Sequence, residues 1–265
     1  MREYFSEKLG LYYRKNDWRP GRKSLVFIHG VSASSSAYLR YDEKFKTDYN
    51  VLFFDLRGHG KSAKSNKYED YEIKNLANDL FELVTELGLQ KFVLISHSFG
   101  TLVALEFLAK HQNMAEKIIF LSPIIDNNKL FGLILKPFVK IAVWLDNFRF
   151  SPKPAGHVDY SKYPMSGEWS ARRLWADVKN TGLRVYLYCV GQMYKFDGKN
   201  LLEKIAAPTL IIHGKKDGYS SVGNAFYMAG KIKNSELHVI PDADHIIVLN
   251  NFDEVSAAME KFIGK

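Results

Sequence analysis

The chain of 265 residues has a single cysteine, Cys189, so no intramolecular disulfide can form and a disulfide-stapled scaffold is excluded. It also lacks a long apolar run. Its greasiest stretch, Leu130 to Leu145, is broken by Lys136, Pro137 and Lys140 and falls short of the roughly 18 apolar residues that a membrane span requires. The first residues, Met1 to Lys8, are polar and carry no apolar h-region of a secretory leader, so a cytoplasmic location is expected. His59, His111, His157, His213 and His238 show no metal-ligand spacing, and no metal site is expected. Internal repeats and low-complexity segments are missing as well. The formal net charge of +8 is joined to no helix-turn-helix, zinc pattern or basic cluster, so nucleic acid is not an expected partner.

What is present is a globular composition, 46% hydrophobic and 25% charged, in which disorder has no signature. Short apolar runs bounded by turn residues alternate with segments of helical period, the pattern of a mostly parallel sheet covered on both faces. Ser24 to Ile28, Val51 to Phe54, Phe92 to Ile95, Ile118 to Leu121, Thr209 to Ile212 and Leu237 to Ile240 read as strands. Between them, Leu76, Leu80, Leu83, Val84 and Leu87 give Ile73 to Leu87 a helical apolar face. Tyr4 to Asp17 is predicted to form a hairpin at the sheet edge, turning near Gly10. The alternation fails between Pro123 and Pro208, a stretch holding three of the four tryptophans and four of the eight prolines. A structureless loop of that length is implausible inside a compact domain. Residues 124–205 are therefore expected to form a largely helical cap inserted between the sixth and seventh main strands, with 1–123 and 206–265 forming the core. Most of the positive charge sits there, 13 Lys and Arg against 7 Asp and Glu from Ile124 to Ile205. Such a cap could favour anionic substrates or touch a phospholipid surface peripherally, an attraction that salt would weaken.

The stretch that points to chemistry is Ser96-His97-Ser98-Phe99-Gly100, between the apolar run ending at Ile95 and the helical segment Thr101 to His111. Strand, tight turn and helix is the setting of a nucleophile elbow, whose central residue is pushed into the open and whose neighbours two before and two after must be small. Ser96 and Gly100 meet that demand, which makes Ser98 the candidate nucleophile; its alternative role is to cap the helix. A serine hydroxyl needs an imidazole to take its proton, and the imidazole needs a carboxylate to fix its tautomer. Asp217 follows the strand Thr209 to Ile212, and His245 follows Leu237 to Ile240, both at the strand ends where ligands bind in open α/β sheets. Asp242 and Asp244 read as turn formers, and His29 and His97 as structural hydrogen-bonders. An oxyanion formed at Ser98 needs N–H donors. Phe99 at the helix start and Val31, after the turn at Gly30, are the candidates.

With Asp55-Leu56-Arg57-Gly58-His59-Gly60-Lys61-Ser62 added, similar to a D-x-R-G-x-G-x-S loop, the chain resembles the α/β-hydrolase superfamily over nearly all its length except the cap. The cap position and the Leu121-Ser122-Pro123 turn are most like the lysophospholipase, monoacylglycerol lipase and serine aminopeptidase group. Where monoacylglycerol lipases follow His-Gly with Gly-Glu-His, this chain has Val31-Ser32-Ala33. The resemblance implies an eight-stranded, mostly parallel sheet with helices on both faces, and a Ser-His-Asp triad working without a cofactor on a small-molecule ester. Asp126, after an earlier strand where some hydrolases place their acid, competes with Asp217. Gly30, Leu133 and Trp144 are expected to line the substrate pocket, with Leu130 to Leu145 as an acyl-chain wall. An aminopeptidase or amidase, with Glu168 or Asp177 receiving a substrate amine, is the alternative enzyme. A ligand-binding module without turnover is the non-enzymatic one.

Overall fold

The computed structural model describes residues 1–125, 129–144 and 153–264. Among them the chain forms eight strands: β1 (Arg2–Ser6), β2 (Leu11–Lys15), β3 (Ser24–Ile28), β4 (Asn50–Phe54), β5 (Phe92–His97), β6 (Ala115–Leu121), β7 (Thr209–Gly214) and β8 (Ser235–Ile240). The α-helices are α1 (Leu39–Phe45), α2 (Ile73–Glu86), α3 (Gly100–His111), α4 (Lys129–Trp144), α5 (Ala171–Thr181), α6 (Leu183–Lys195), α7 (Lys199–Leu202), α8 (Val222–Lys231), α9 (Ile247–Asn250) and α10 (Phe252–Gly264). All eight strands join one sheet in the order β1-β2-β4-β3-β5-β6-β7-β8. β1 and β2 form the expected antiparallel hairpin, with Gly10 at φ 66°, and β3 to β8 run parallel.

Strand alternation splits the core in two. Val26, Ile28, Leu94 and Phe120 point to the face covered by α2, α3 and α8, where Leu76, Leu80 and Leu83 supply the apolar stripe. Leu25, Phe27, Val93 and Ile95 point to the other face, against Tyr41 and Phe45 of α1 and Val255 and Met259 of α10. Both faces of the central strands are fully buried, which is why these strands read as continuous apolar runs. The predicted strands hold, most of them one to three residues longer than the apolar run alone.

Strand order then decides where a ligand can sit. β4 lies on one side of β3 and β5 on the other, so the loops leaving β3 and β5 diverge and open a crevice at their carboxyl ends. Between β6 and β7 the chain leaves the sheet for α4 to α7. α6 packs against α4 on one side and against α5 on the other. No helix among the described residues is long and apolar enough to cross a membrane.

Candidate active site

Register brings the first two parts together. Ile28 of β3 pairs with Ser96 of β5, so two residues further on Gly30 meets Ser98. A Cβ built on Gly30 would lie 3.0 Å from His97 Nδ1 and 3.2 Å from the Ser98 Cβ, so the backbone after β3 rests directly on the elbow. Ser98 has φ 52°, a left-handed conformation that L-residues other than Gly rarely adopt and that is retained where the surroundings enforce it. Gly100 shows the enforcement: a methyl there would fall 2.8 Å from the His29 carbonyl oxygen and 2.9 Å from that of Ile28. Ser96 is tolerated at the other small position, although its Oγ is buried without a hydrogen-bond partner among the described residues.

β7 and β8 deliver the other two groups. His245 Nε2 lies 2.8 Å from Ser98 Oγ, and its Nδ1 lies 2.7 Å from Asp217 Oδ2. The second Asp217 oxygen accepts the N–H groups of Tyr219 at 2.9 Å and Ser220 at 2.8 Å. Burial alone would raise the Asp217 carboxyl, but the hydrogen bond and charge of His245 and the Ser220 amide hold it below the usual carboxylate range. It is thus an anion suited to fixing the Nδ1–H tautomer of its partner. His97 donates from Nε2 to the His245 carbonyl oxygen at 3.0 Å. Burial first, and the neighbouring His245 second, push the His97 imidazole down to about 3, so it stays neutral and acts as a prop. His29 is a prop as well: Nδ1 donates to Gly30 O at 2.8 Å and Nε2 accepts the Leu56 N–H at 2.9 Å.

Val31 lines the same cavity as Ser98, and Phe99 precedes the first residue of α3. Among the described residues, neither backbone N–H is engaged by a backbone or side-chain acceptor. The cavity has a volume of about 120 Å³, and Ser98, His245, Gly30 and Val31 meet there with residues of α5 and α6.

The expected lining is corrected in part. Gly30 is in the wall, but Leu133 and Trp144 are not; they are 64% and 59% exposed on α4. α6 stands in the way, turning Tyr186, Val190 and Met193 toward the cavity and Gly191, Tyr194 and Lys195 toward a separate groove that Leu133 borders. The apolar wall comes instead from α5 and α6, with Leu174, Val178 and Val190 prominent. Those residues share the helical period of any amphipathic segment, so periodicity could not tell which helix of the insertion faces Ser98. Asp126 and Leu145 lie outside the described residues.

The two carboxylates considered as amine receptors are both occupied. Asp177 accepts from Arg173 Nη1 at 2.8 Å and from Tyr160 Oη at 2.9 Å. Glu168 accepts backbone N–H groups of Gly218 and His245. The tie from Glu168 to the acid and base loops was not anticipated. An isolated Glu in a loop carries no signal of which distant amides it will meet. Among the described residues no group of three or more His, Cys, Asp or Glu could hold a metal ion.

A family model described as alpha/beta hydrolase fold matches residues 23–252. The chain belongs to the α/β-hydrolase family. It is 27% identical to a putative non-heme chloroperoxidase of Synechocystis sp., over 97% of this chain and 96% of that protein. It is 25% identical to a proline iminopeptidase of Saccharolobus solfataricus, over 97% of this α/β hydrolase and 90% of the relative. Among solved structures, a thermophilic esterase from Thermogutta terrifontis superposes with a TM-score of 0.75 at 21% identity, covering 96% of this chain and 92% of the other. At that identity the structural match establishes the fold. The resemblance read from the elbow and from the Asp55 to Ser62 loop therefore holds at the level of the family.

Proposed function

We propose that this α/β hydrolase is a serine carboxylic ester hydrolase acting through an acyl-enzyme on small or medium acyl esters, with 124–205 as its cap. The observation that carries the reading is the unbroken relay from Asp217 through His245 to Ser98, at 2.7 and 2.8 Å, opening into a cavity. In this mechanism His245 Nε2 takes the proton as Ser98 Oγ attacks the ester carbonyl, and Asp217 stabilises the imidazolium that forms. The Val31 and Phe99 amides hold the negative oxygen of the tetrahedral intermediate. His245 then protonates the departing alcohol, and water activated by the same imidazole releases the acid.

A serine nucleophile sets this chain apart from superfamily members that attack with Asp. An aminopeptidase would need an acidic group open to the substrate's ammonium, and both carboxylates considered for that role have their oxygens engaged. That favours the ester. The test is a p-nitrophenyl ester series from acetyl to palmitoyl, run beside aminoacyl anilides. Short and medium esters should turn over, Ser98 should be labelled by a fluorophosphonate, and Ser98→Ala should lower kcat by about 10⁶ with the fold intact. Near-normal hydrolysis by that variant would refute the assignment, and an unlabelled, inactive protein would favour the ligand-binding module.

A further inference from the structure

We propose that Glu168 is a positioning residue that clamps the two loops carrying Asp217 and His245, so that the relay to Ser98 is held in line from the 124–205 insertion. The inference rests on the ester-hydrolase reading above. Glu168 is only 4% exposed, and its carboxylate is spent on two backbone donors. Oε1 accepts the N–H of Gly218 at 3.0 Å, and Oε2 accepts the N–H of His245 at 2.9 Å. One donor is the residue after the candidate acid; the other belongs to the candidate base itself. These two loops follow different strands and are also tied by the Lys216 N–H to the Ala243 carbonyl at 2.9 Å and by Lys216 Nζ to Asp242 at 2.7 Å, but the Asp217 and Glu168 carboxylates are the ones bonded to His245 itself.

The surrounding contacts seat the clamp. The Glu168 N–H donates to Asp244 Oδ2 at 2.9 Å, and its carbonyl oxygen accepts from Arg173 Nη2 at 2.8 Å. Next in sequence, Trp169 stacks on Tyr219 with ring centroids 4.4 Å apart. Gly218 is the complementary half: a methyl there would lie 2.4 Å from Glu168 Oε1. The chemistry also selects the residue type. Two N–H donors converging on two oxygens suit a carboxylate, whereas glutamine offers one acceptor and turns an NH₂ group against the other donor. A buried N–H left unpaired is costly, and the loop then gains by moving away. Misplacement of a reacting group by about 1 Å can cost ~10²-fold in rate.

Kinetics of Glu168→Gln and Glu168→Asp on p-nitrophenyl butyrate, with active sites counted by fluorophosphonate titration, test the clamp. Glu168→Gln should lower kcat per titrated site by about 10- to 100-fold, with KM changed less than about 3-fold. The rate constant for fluorophosphonate labelling of Ser98 should fall in parallel, and Glu168→Asp should recover part of the loss. A merely structural glutamate predicts fewer titratable sites with kcat per site unchanged, and that result overturns the proposal. If Glu168→Gln does not fold, Gly218→Ala replaces it: the added methyl displaces the carboxylate while keeping its charge. kcat per site should then fall, and wild-type kcat overturns the clamp. Absence of ester turnover and of labelling in the wild-type protein is a separate result; it removes the ester reading, and the clamp with it.

Discussion

Ser96 occupies a position where related elbows commonly carry glycine, and its Oγ is enclosed by protein with no partner among the described residues. A buried hydroxyl in that state costs about 1–3 kcal/mol, so its removal should not harm the fold. Ser96→Ala keeps the Cβ and the strand conformation while deleting the orphaned oxygen. Its unfolding free energy in urea should equal or exceed that of the wild type, by up to about 1 kcal/mol; a loss of more than about 1 kcal/mol would mean that the hydroxyl has a bonding role. Ser98 differs from Ser96 by two positions and by everything else: a left-handed backbone and an imidazole at 2.8 Å. This contrast was legible in the sequence, because the small-x-Ser-x-small spacing places only the middle residue at the apex of the turn. What spacing could not give is any contact set by tertiary neighbours, such as the Glu168 oxygens on the Gly218 and His245 amides.

α5 carries a group with its own pH signature. Burial lifts the Asp177 carboxyl to about 6, against the opposing pull of Arg173 and the Tyr160 hydroxyl. An unfolded aspartate titrates near ~3.9, so between roughly pH 4 and 6 the folded state holds a proton that the unfolded chain has released. Stability should therefore fall as pH rises through that window, by on the order of 2 kcal/mol in all. Asp177→Asn should flatten this part of the urea-derived stability curve. An unchanged slope in the variant would assign the effect to Asp42 or Asp79, which burial also raises. Asp217 works the other way: its lowered carboxyl stabilises above the unfolded value, and that contribution disappears only as pH drops below ~4. Among the elements, the central strands were readable because burial on both faces writes an unbroken apolar run. α4 misled because it buries Val139, Ala142 and Val143 while leaving Phe138, Ile141 and Trp144 exposed, so its greasiness reported amount and not direction.

The insertion is fastened to the sheet domain at several separate points. His157 reaches Asp55 at 2.8 Å, Thr181 donates to the Ser32 carbonyl at 2.9 Å, Lys64 donates to the Thr181 carbonyl at 2.7 Å, and Ser36 donates to the Val158 carbonyl at 2.9 Å. Ties on this many loops make separate melting costly. Calorimetry should show one transition whose van't Hoff and calorimetric enthalpies agree, and two resolved peaks would mean that the insertion unfolds by itself. Its ends leave the sheet at the carboxyl end of β6 and rejoin it at the amino end of the neighbouring parallel strand β7, where Thr209 pairs with Ile118. Because it is a crossover between two parallel neighbours, the excursion can be swapped or lengthened without disturbing any pairing in the sheet, provided it still runs back along the strands, and loop closure grows dearer only slowly with length. Swapping it is still not free. A transplanted excursion that shapes a new pocket must also bring its own acceptor for the two amides that Glu168 now serves, so on the clamp proposed above selectivity and turnover are inherited together.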